Sequence, residues 1–467
     1  MIRKDETICA QAAPGGGALA VVRVSGSGSI DICSKIFTPA SGKIKLSGLP
    51  GNSVVFGEIK ESENVVDEVL LTLFRAPHSY TGEDSVEISC HGSDYIISKI
   101  LELLVRNGAL PARPGEFTMR AFMNGKMDLS QAEAVADLVA CSSEAAHRIA
   151  INQLKGGFSD SIRQLRNELL QFASLIELEL DFGEEDVEFA DRKELLALVS
   201  KIRTMADSLA SSFITGNAIK NGIPVVITGK PNTGKSTLLN ALLMEEKAIV
   251  SDIPGTTRDA IEDTIIIDGI RYRFIDTAGL RHTEDRVEML GIKKTHEKIN
   301  LSEVVILVDE ATCDPDEINQ RISGLRELTG NKSKKLIIAL NKTDLFPELN
   351  REELREKIKL NDNESLIFLS AKEKTGLELL KDELGKTVEK KRLSSGDVII
   401  TNIRHYDALS NVGESLRRVE SGLKEGIPGD LLAVDVRHAI HYLGEITGEI
   451  TSDEILGYIF KNFCIGK

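Results

Sequence analysis

Cysteine is scarce and scattered: Cys9, Cys33, Cys90, Cys141, Cys313 and Cys464 are the six in the chain. They form no CxxC pair and no ladder of short spacings. That suits a reducing compartment better than a disulfide framework or a cysteine-built zinc site. No apolar run approaches the roughly 20 residues that cross a bilayer, and the opening stretch MIRKDETICAQAAPGGG lacks the apolar core of a signal peptide. Basic charge is in deficit. Lys plus Arg total 57 against 72 Asp plus Glu, a formal charge of -15, which disfavours a surface built throughout for a polyanion while leaving room for a local basic patch. What is present is 467 residues, 42% hydrophobic and 28% charged, enough for several cores and about three domains. The expectation is a soluble, multidomain, cytoplasmic protein without a membrane partner.

Three textures divide the chain. Residues 1–120 are rich in glycine and β-branched residues, with strand-like runs at 18–24 and 68–74 punctuated by Pro14-Gly15, Pro50-Gly51, Thr81-Gly82 and Pro114-Gly115. One helical interval at 95–106 makes this a mixed α+β domain. From 121 to 217 apolar residues follow helical spacing, as in Ile162, Leu165, Leu169, Phe172 and Ile176. Between 218 and 385 strands (223–228, 265–267, 272–275, 304–308, 336–340, 366–369) alternate with helices such as 235–244, the pattern of a mainly parallel sheet. Residues 386–467 return to the helical period. The simplest organisation is an α/β domain inserted into a loop of a helical domain, because loop tips tolerate insertion. The fold class expected is multidomain α/β.

Gly229-Lys-Pro-Asn232-Thr233-Gly234-Lys235-Ser236-Thr237 follows a strand and opens a helix, the context that makes GxxxxGK[ST] credible as a phosphate loop. Glycines let backbone amides curl round phosphates, Lys235 reaches the terminal phosphates, and the Ser236 hydroxyl suits Mg²⁺. The bland alternative is a glycine turn before a structural helix. Downstream residues exclude it. Asp276-Thr277-Ala278-Gly279 places a carboxylate near Mg²⁺ and a glycine amide near the terminal phosphate. Asn341-Lys342-Thr343-Asp344 follows the next strand but one, and the Asp344 carboxylate accepts both N–H donors of guanine's edge. Adenine would leave that acceptor unpaired at a cost of about 1–3 kcal/mol, which favours GTP over ATP. Ser370-Ala371-Lys372 offers a backbone amide to the guanine carbonyl.

Hydrolysis needs a group to position water, and Ras-like switches use a glutamine just after the DxxG glycine. Here that place holds Leu280, which does no hydrogen-bond work. Glu284, Asp285 and Glu288 are the acidic candidates in the segment that follows, and the residues alone do not rank them. Ser251-Asp252-Ile253-Pro254-Gly255-Thr256-Thr257 is a glycine-hinged loop in which either threonine suits Mg²⁺.

These motifs, with Val287-Glu288…Gly291-Ile292, Arg23-Val-Ser-Gly26, Tyr80-Thr-Gly-Glu-Asp84, Arg113-Pro-Gly-Glu-Phe117, Gly125–Glu133 and the terminal Cys464-Ile-Gly-Lys467, resemble the MnmE (TrmE) family of tRNA modification GTPases from end to end. The resemblance implies a homodimer through a tetrahydrofolate-binding N-terminal domain. It implies G domains that pair across their nucleotide faces around K⁺. Carried over, Asn232, Ser251, Ile253 and Thr256 ligate K⁺, Ser236 and Thr257 hold Mg²⁺, and Lys235 with Glu288 are catalytic, Glu288 acting indirectly on the water. Folate contacts (5-formyl- or methylene-tetrahydrofolate) fall on Arg23, Glu87, Lys126 and Lys467. An FAD-dependent partner of the MnmG (GidA) type joins it in a heterotetramer or larger complex on tRNA, adding an aminomethyl or carboxymethylaminomethyl group to wobble uridine. Cys464 is a candidate thiol, though a lone cysteine between Phe463 and Ile465 is more often packed than reactive. The alternative, from the GTPase motifs alone, is a ribosome-assembly or regulatory switch without one-carbon chemistry.

Overall fold

The computed structural model describes residues 6–13, 17–42, 44–181, 192–247, 263–275, 299, 302–329, 334–389, 398–461 and 463–466. These fall into two compact units. One comprises 1–140, 150–208 and 407–467, the other 141–149 and 209–406, so the chain leaves the first unit and returns to it.

The first unit opens with a seven-stranded mixed sheet. Its strands are β1 (Ile8–Gln11), β2 (Leu19–Ser25), β3 (Phe37–Pro39), β4 (Ser53–Glu61), β5 (Asn64–Phe74), β6 (Ser85–His91) and β7 (Leu110–Pro111), in the order β3-β4-β5-β6-β2-β1-β7. Alternation sets its faces: Val22 and Val24 of β2, Leu71 and Leu73 of β5, and Val86 and Ile88 of β6 all bury into one core. The helices α1 (Ser29–Ile36) and α2 (Asp94–Arg106) cover that core through Ile32, Cys33, Ile97, Ile100 and Leu104. A third helix, α3 (Glu116–Met123), begins at Gly115, whose φ of +68° is the left-handed region that favours glycine.

Helices follow: α4 (Leu129–Ala140) and α6 (Gly157–Asp181) in this unit, and α5 (Glu144–Leu154) and α7 (Arg192–Asn221), each of which spans a boundary between the two units. Ile162, Leu165, Leu169, Phe172 and Ile176 of α6 are buried at the spacing that lines one helical stripe.

The second unit holds a six-stranded sheet of β8 (Ile223–Thr228), β9 (Asp263–Ile267), β10 (Ile270–Phe274), β11 (Val304–Glu310), β12 (Lys335–Asn341) and β13 (Glu364–Phe368), ordered β13-β12-β11-β8-β10-β9. All pairings are parallel except β9 with β10. Parallel strands buried on both faces read as continuous apolar runs, and β11 and β12 do: the even-numbered Val304, Ile306 and Val308 join one core and Val305 and Leu307 another. Between them run α8 (Lys235–Lys247), α9 (Pro315–Thr329) and α10 (Arg351–Lys357), and α11 (Leu377–Glu389) follows β13. The chain ends with α12 (Ile403–Glu425), α13 (Gly429–Thr447), which packs along α6, and α14 (Asp453–Lys461). No helix among the described residues is long and apolar enough to cross a membrane.

Candidate nucleotide site and N-terminal site

The first candidate site lies where parallel strands end. β8 stops at Thr228, and the chain turns through Gly229, with φ +146°, Asn232, with φ +63°, and Gly234, with φ +95°, before α8 begins at Lys235. A side chain at Gly229 would put its Cβ 2.0 Å from the Val308 carbonyl of β11, and one at Gly234 would put it 2.2 Å from Nδ2 of Asn341. The glycines therefore serve close approach as well as curvature, the backbone shape of a loop suited to cradle phosphate. Lys235 is half-buried. Its ammonium donates to the Gly229 carbonyl at 2.9 Å and the Lys230 carbonyl at 2.6 Å, and Thr233 Oγ1 donates to the same Lys230 carbonyl at 3.0 Å. Burial pulls the Lys235 ammonium below its ordinary pKa, opposed by the charge of Asp309. Ser236 and exposed Thr237 follow in the first turn of α8.

Asn341, at the end of β12 and 3% exposed, stitches three motifs together. Its Nδ2 donates to the Thr233 carbonyl at 2.8 Å, and its Oδ1 accepts from the Ala371 amide at 2.9 Å. Lys342 takes the left-handed conformation, φ +66°, and its ammonium pairs with Glu310. Asp344 lies in the short turn 343–345 and accepts from the Ser370 hydroxyl at 2.6 Å. Ser370 and Thr375 exchange backbone hydrogen bonds of 2.9 and 3.1 Å. The Glu373 amide donates to the Ser370 hydroxyl oxygen at 3.2 Å, closing the turn that contains Lys372. The structure thus brings Asn232–Thr237, Asn341–Asp344 and Ser370–Lys372 to one end of the sheet, the switch-point edge where α/β sheets take ligands. Ser251, Asp252, Ile253, Pro254, Gly255, Thr256, Thr257, Asp276, Thr277, Ala278, Gly279 and Glu288 lie outside the described residues.

The second candidate site lies in the first unit. Arg23 of β2 sits directly across from Glu87 of β6 in the antiparallel register. Its Nε and Nη2 both reach Glu87 Oε1, at 2.9 and 2.8 Å, and its Nη1 donates to the Gly466 carbonyl at 3.3 Å. The guanidinium stands 5.2 Å from the centre of the Tyr80 ring and 5.6 Å from that of Phe117. Burial raises the Tyr80 phenol, while its bond to Thr118 and the charge of Arg23 oppose the rise. Lys126 donates to the Pro77 carbonyl at 2.9 Å, and its stem lies against the space beside Gly82.

The C-terminal segment is pinned here by two close approaches. A Cβ at Gly466 would meet the Gln11 carbonyl at 2.1 Å, and the Gly115 amide donates to the Cys464 carbonyl at 3.3 Å. Cys464 itself is exposed, and Lys467 lies outside the described residues. Nε2 of Gln11 is buried with no hydrogen-bond partner among the described residues, so a polar group would be accommodated there. Motif reading had not singled out Gln11, Asp309 or Arg321. Asp309 carries a weak signal, a carboxylate at the end of a parallel strand, whereas Arg321 carries none beyond its i,i+4 spacing from Glu317.

Two family models match the chain: the N-terminus of the GTP-binding protein TrmE over residues 7–126, and the MnmE helical domain over residues 129–464. Curated relatives match along their whole length. The chain is 51% identical over 465 residues to the tRNA modification GTPase MnmE of Bacteroides thetaiotaomicron, covering 99% of this chain and 100% of that protein. It is 51% identical over 477 residues to the protein of the same description from Christiangramia forsetii, with both chains covered completely. Among solved structures, the G domain of the T. maritima FeoB iron transporter aligns to 35% of this chain and 97% of its own at 23% identity. Its TM-score of 0.26 is too low to say anything of fold or function.

Proposed function

The chain belongs to the MnmE family of tRNA modification GTPases, and from that premise we propose that it couples GTP hydrolysis to modification of the wobble uridine of certain tRNAs together with an FAD-dependent partner. It is a GTP hydrolase. The observation that supports the site best is the Asn341 side chain, which ties the phosphate loop at Thr233 to the base-recognition turn at Ala371. On this reading Lys235 turns from the loop carbonyls to the terminal phosphates, the Lys372 amide meets the guanine carbonyl, and Asp344 accepts from the guanine edge. Ser236 and Thr257 would hold Mg²⁺, and Asn232, Ser251, Ile253 and Thr256 would hold K⁺; the cations would supply positive charge to offset that growing on the phosphates. Glu288 orients the attacking water indirectly, in G domains paired across their nucleotide faces.

The N-terminal site would hold a reduced folate. Arg23, Lys126 and Lys467 suit the anionic tail and Glu87 the amino-pyrimidine edge, and Tyr80 and Phe117 present ring faces beside Arg23. The four-part division at 120, 217 and 385, the homodimer, the assembly on tRNA and a cytoplasmic setting complete the proposal. A ribosome-assembly switch would have no use for the N-terminal model matched at 7–126.

The direct test compares hydrolysis of GTP and ATP by the full chain in K⁺ and in Na⁺ at equal ionic strength. The reading expects GTP to be preferred and K⁺ to accelerate it. Equal rates in both salts would remove the cation role, and equal use of ATP would remove the base assignment. Binding of 5-formyltetrahydrofolate to the full chain, followed by calorimetry and lost on Arg23→Ala, tests the folate site; no heat from the unmodified chain would end that assignment.

A further inference from the structure

Beside the phosphate loop, four charged side chains of alternating sign run from its second residue into the sheet. Lys230 Nζ donates to Glu317 Oε2 at 2.6 Å, and Arg321 Nη1 donates to the same oxygen at 3.3 Å. Arg321 Nε donates to Asp309 Oδ2 at 2.8 Å, and its Nη2 to Cys313 Sγ at 2.9 Å. The outer pair is ordinary: the Lys230 and Glu317 side chains are each about half exposed, and such a pair is worth little by itself. The inner pair is different. The Asp309 side chain is 1% exposed at the end of β11, next to the Val308 carbonyl against which Gly229 packs. Burial pushes its carboxyl above the ordinary range, against the pull of Arg321. A buried carboxylate here serves no packing purpose, and without its partner its charge would act on whatever the loop holds.

We propose that Arg321 is a positioning residue of the nucleotide site: it neutralises the buried Asp309 carboxylate at the back of the phosphate loop. The proposal rests on reading 229–236 as the nucleotide site and deepens that reading. Asp309 lies close enough to Lys235 for its charge to be felt there, so an uncompensated carboxylate would oppose bound phosphate oxygens as well. Arg321 acts by cancelling the charge of Asp309.

The experiment titrates full-length protein with a fluorescent GDP analogue and follows GTP turnover, with thermal melting as a control. Arg321→Gln should weaken GDP binding about tenfold, a coupling of ordinary size for contacting charges, with the loss in KM rather than kcat. Arg321→Lys should retain most of the affinity. Asp309→Asn alone should bind at least as well as the unmodified chain, and adding Arg321→Gln to it should cost no further affinity. This last arm separates charge cancellation from structure, because a merely structural Arg321 would weaken binding in the double variant as well. A binding constant for Arg321→Gln within twofold of the unmodified chain, or equal losses with and without Asp309, overturns the proposal. If Arg321→Gln alone does not fold, the comparison of Asp309→Asn with the double variant decides it. Failure of the unmodified chain to bind the GDP analogue would instead remove the nucleotide reading, and the proposal with it.

Discussion

Lys235 donates to a carbonyl six residues away, whereas Arg23 donates to one 443 residues away. That contrast separates the two candidate sites. The nucleotide site is made chiefly of backbone: one loop curls through left-handed glycines, and side chains such as Asn341 hold the curl in place. The N-terminal site is made of side chains from two strands, with the chain's own tail laid across them. A backbone site is recorded in consecutive residue types, because curvature and close approach demand glycine at fixed offsets. A side-chain site assembled over long separation leaves no such local record, and its parts look like ordinary surface or salt-bridged residues until the fold joins them.

The comparison can be broken from either side. The largest effect is expected at Gly234, where φ is +95° and a Cβ would collide with an Asn341 amide already committed to two hydrogen bonds. Gly234→Ala should lower affinity for a fluorescent GDP analogue about 100-fold through combined strain and lost bonding, and leave folate binding unchanged. An affinity within threefold would mean that the loop does not depend on close approach. Next in size is Gly466→Ala, which combines a φ of +95° with a backbone clash at Gln11. It should release the tail, read as faster carboxypeptidase trimming, and weaken folate binding roughly tenfold with GDP affinity intact. A tail that stays protected would show that the site does not need it.

The smallest effect concerns support rather than either site. Burial raises the Glu383 carboxyl, but hydrogen bonds from Lys386, Lys335 and Ser365 outweigh it and bring it down to about 2. A depressed carboxylate contributes stability that is present above its ordinary pKa and lost as pH falls towards the folded value. Glu383→Gln should therefore cost about 1 kcal/mol at pH 7, discounted for solvent access, with the difference from the unmodified chain closing between pH 4.5 and about 2. Denaturant melts across that range check it, and a difference independent of pH would assign the loss to packing.

Most of the α/β unit was legible because buried parallel strands are uninterrupted apolar runs. The expected 223–228 strand is β8 residue for residue, and the other expected strands coincide with β9 to β13 within three residues. Strand direction was not legible from hydropathy, which is blind to it, so the antiparallel β9–β10 edge lay within no more than "mainly parallel". Its signal was the two-residue turn Asp268-Gly269, with φ of +51° and +74°, a connection that joins antiparallel neighbours. In the nucleotide site, motif order alone placed Asn341 and Asp344. It did not show that Asn341 would engage the Ala371 amide, a pairing created only when β12 and β13 lie side by side. Arg23 and Glu87 were reached through family resemblance; cross-strand register, which makes them direct partners, needs the sheet order. The docking of Gly466 was beyond reach for the same reason of distance in sequence.

On the proposed reading, guanine nucleotide turnover in one unit of this chain drives tRNA modification. Wobble-position nucleosides, measured by mass spectrometry in cells lacking the chain, test it most directly when the cells are supplied with either the unmodified protein or an Asn341→Ala variant at equal level. The account predicts that the unmodified chain restores the modified uridine while Asn341→Ala, its loop and base turn uncoupled, leaves it absent. Full restoration by the variant that no longer binds guanine nucleotide would contradict the claim.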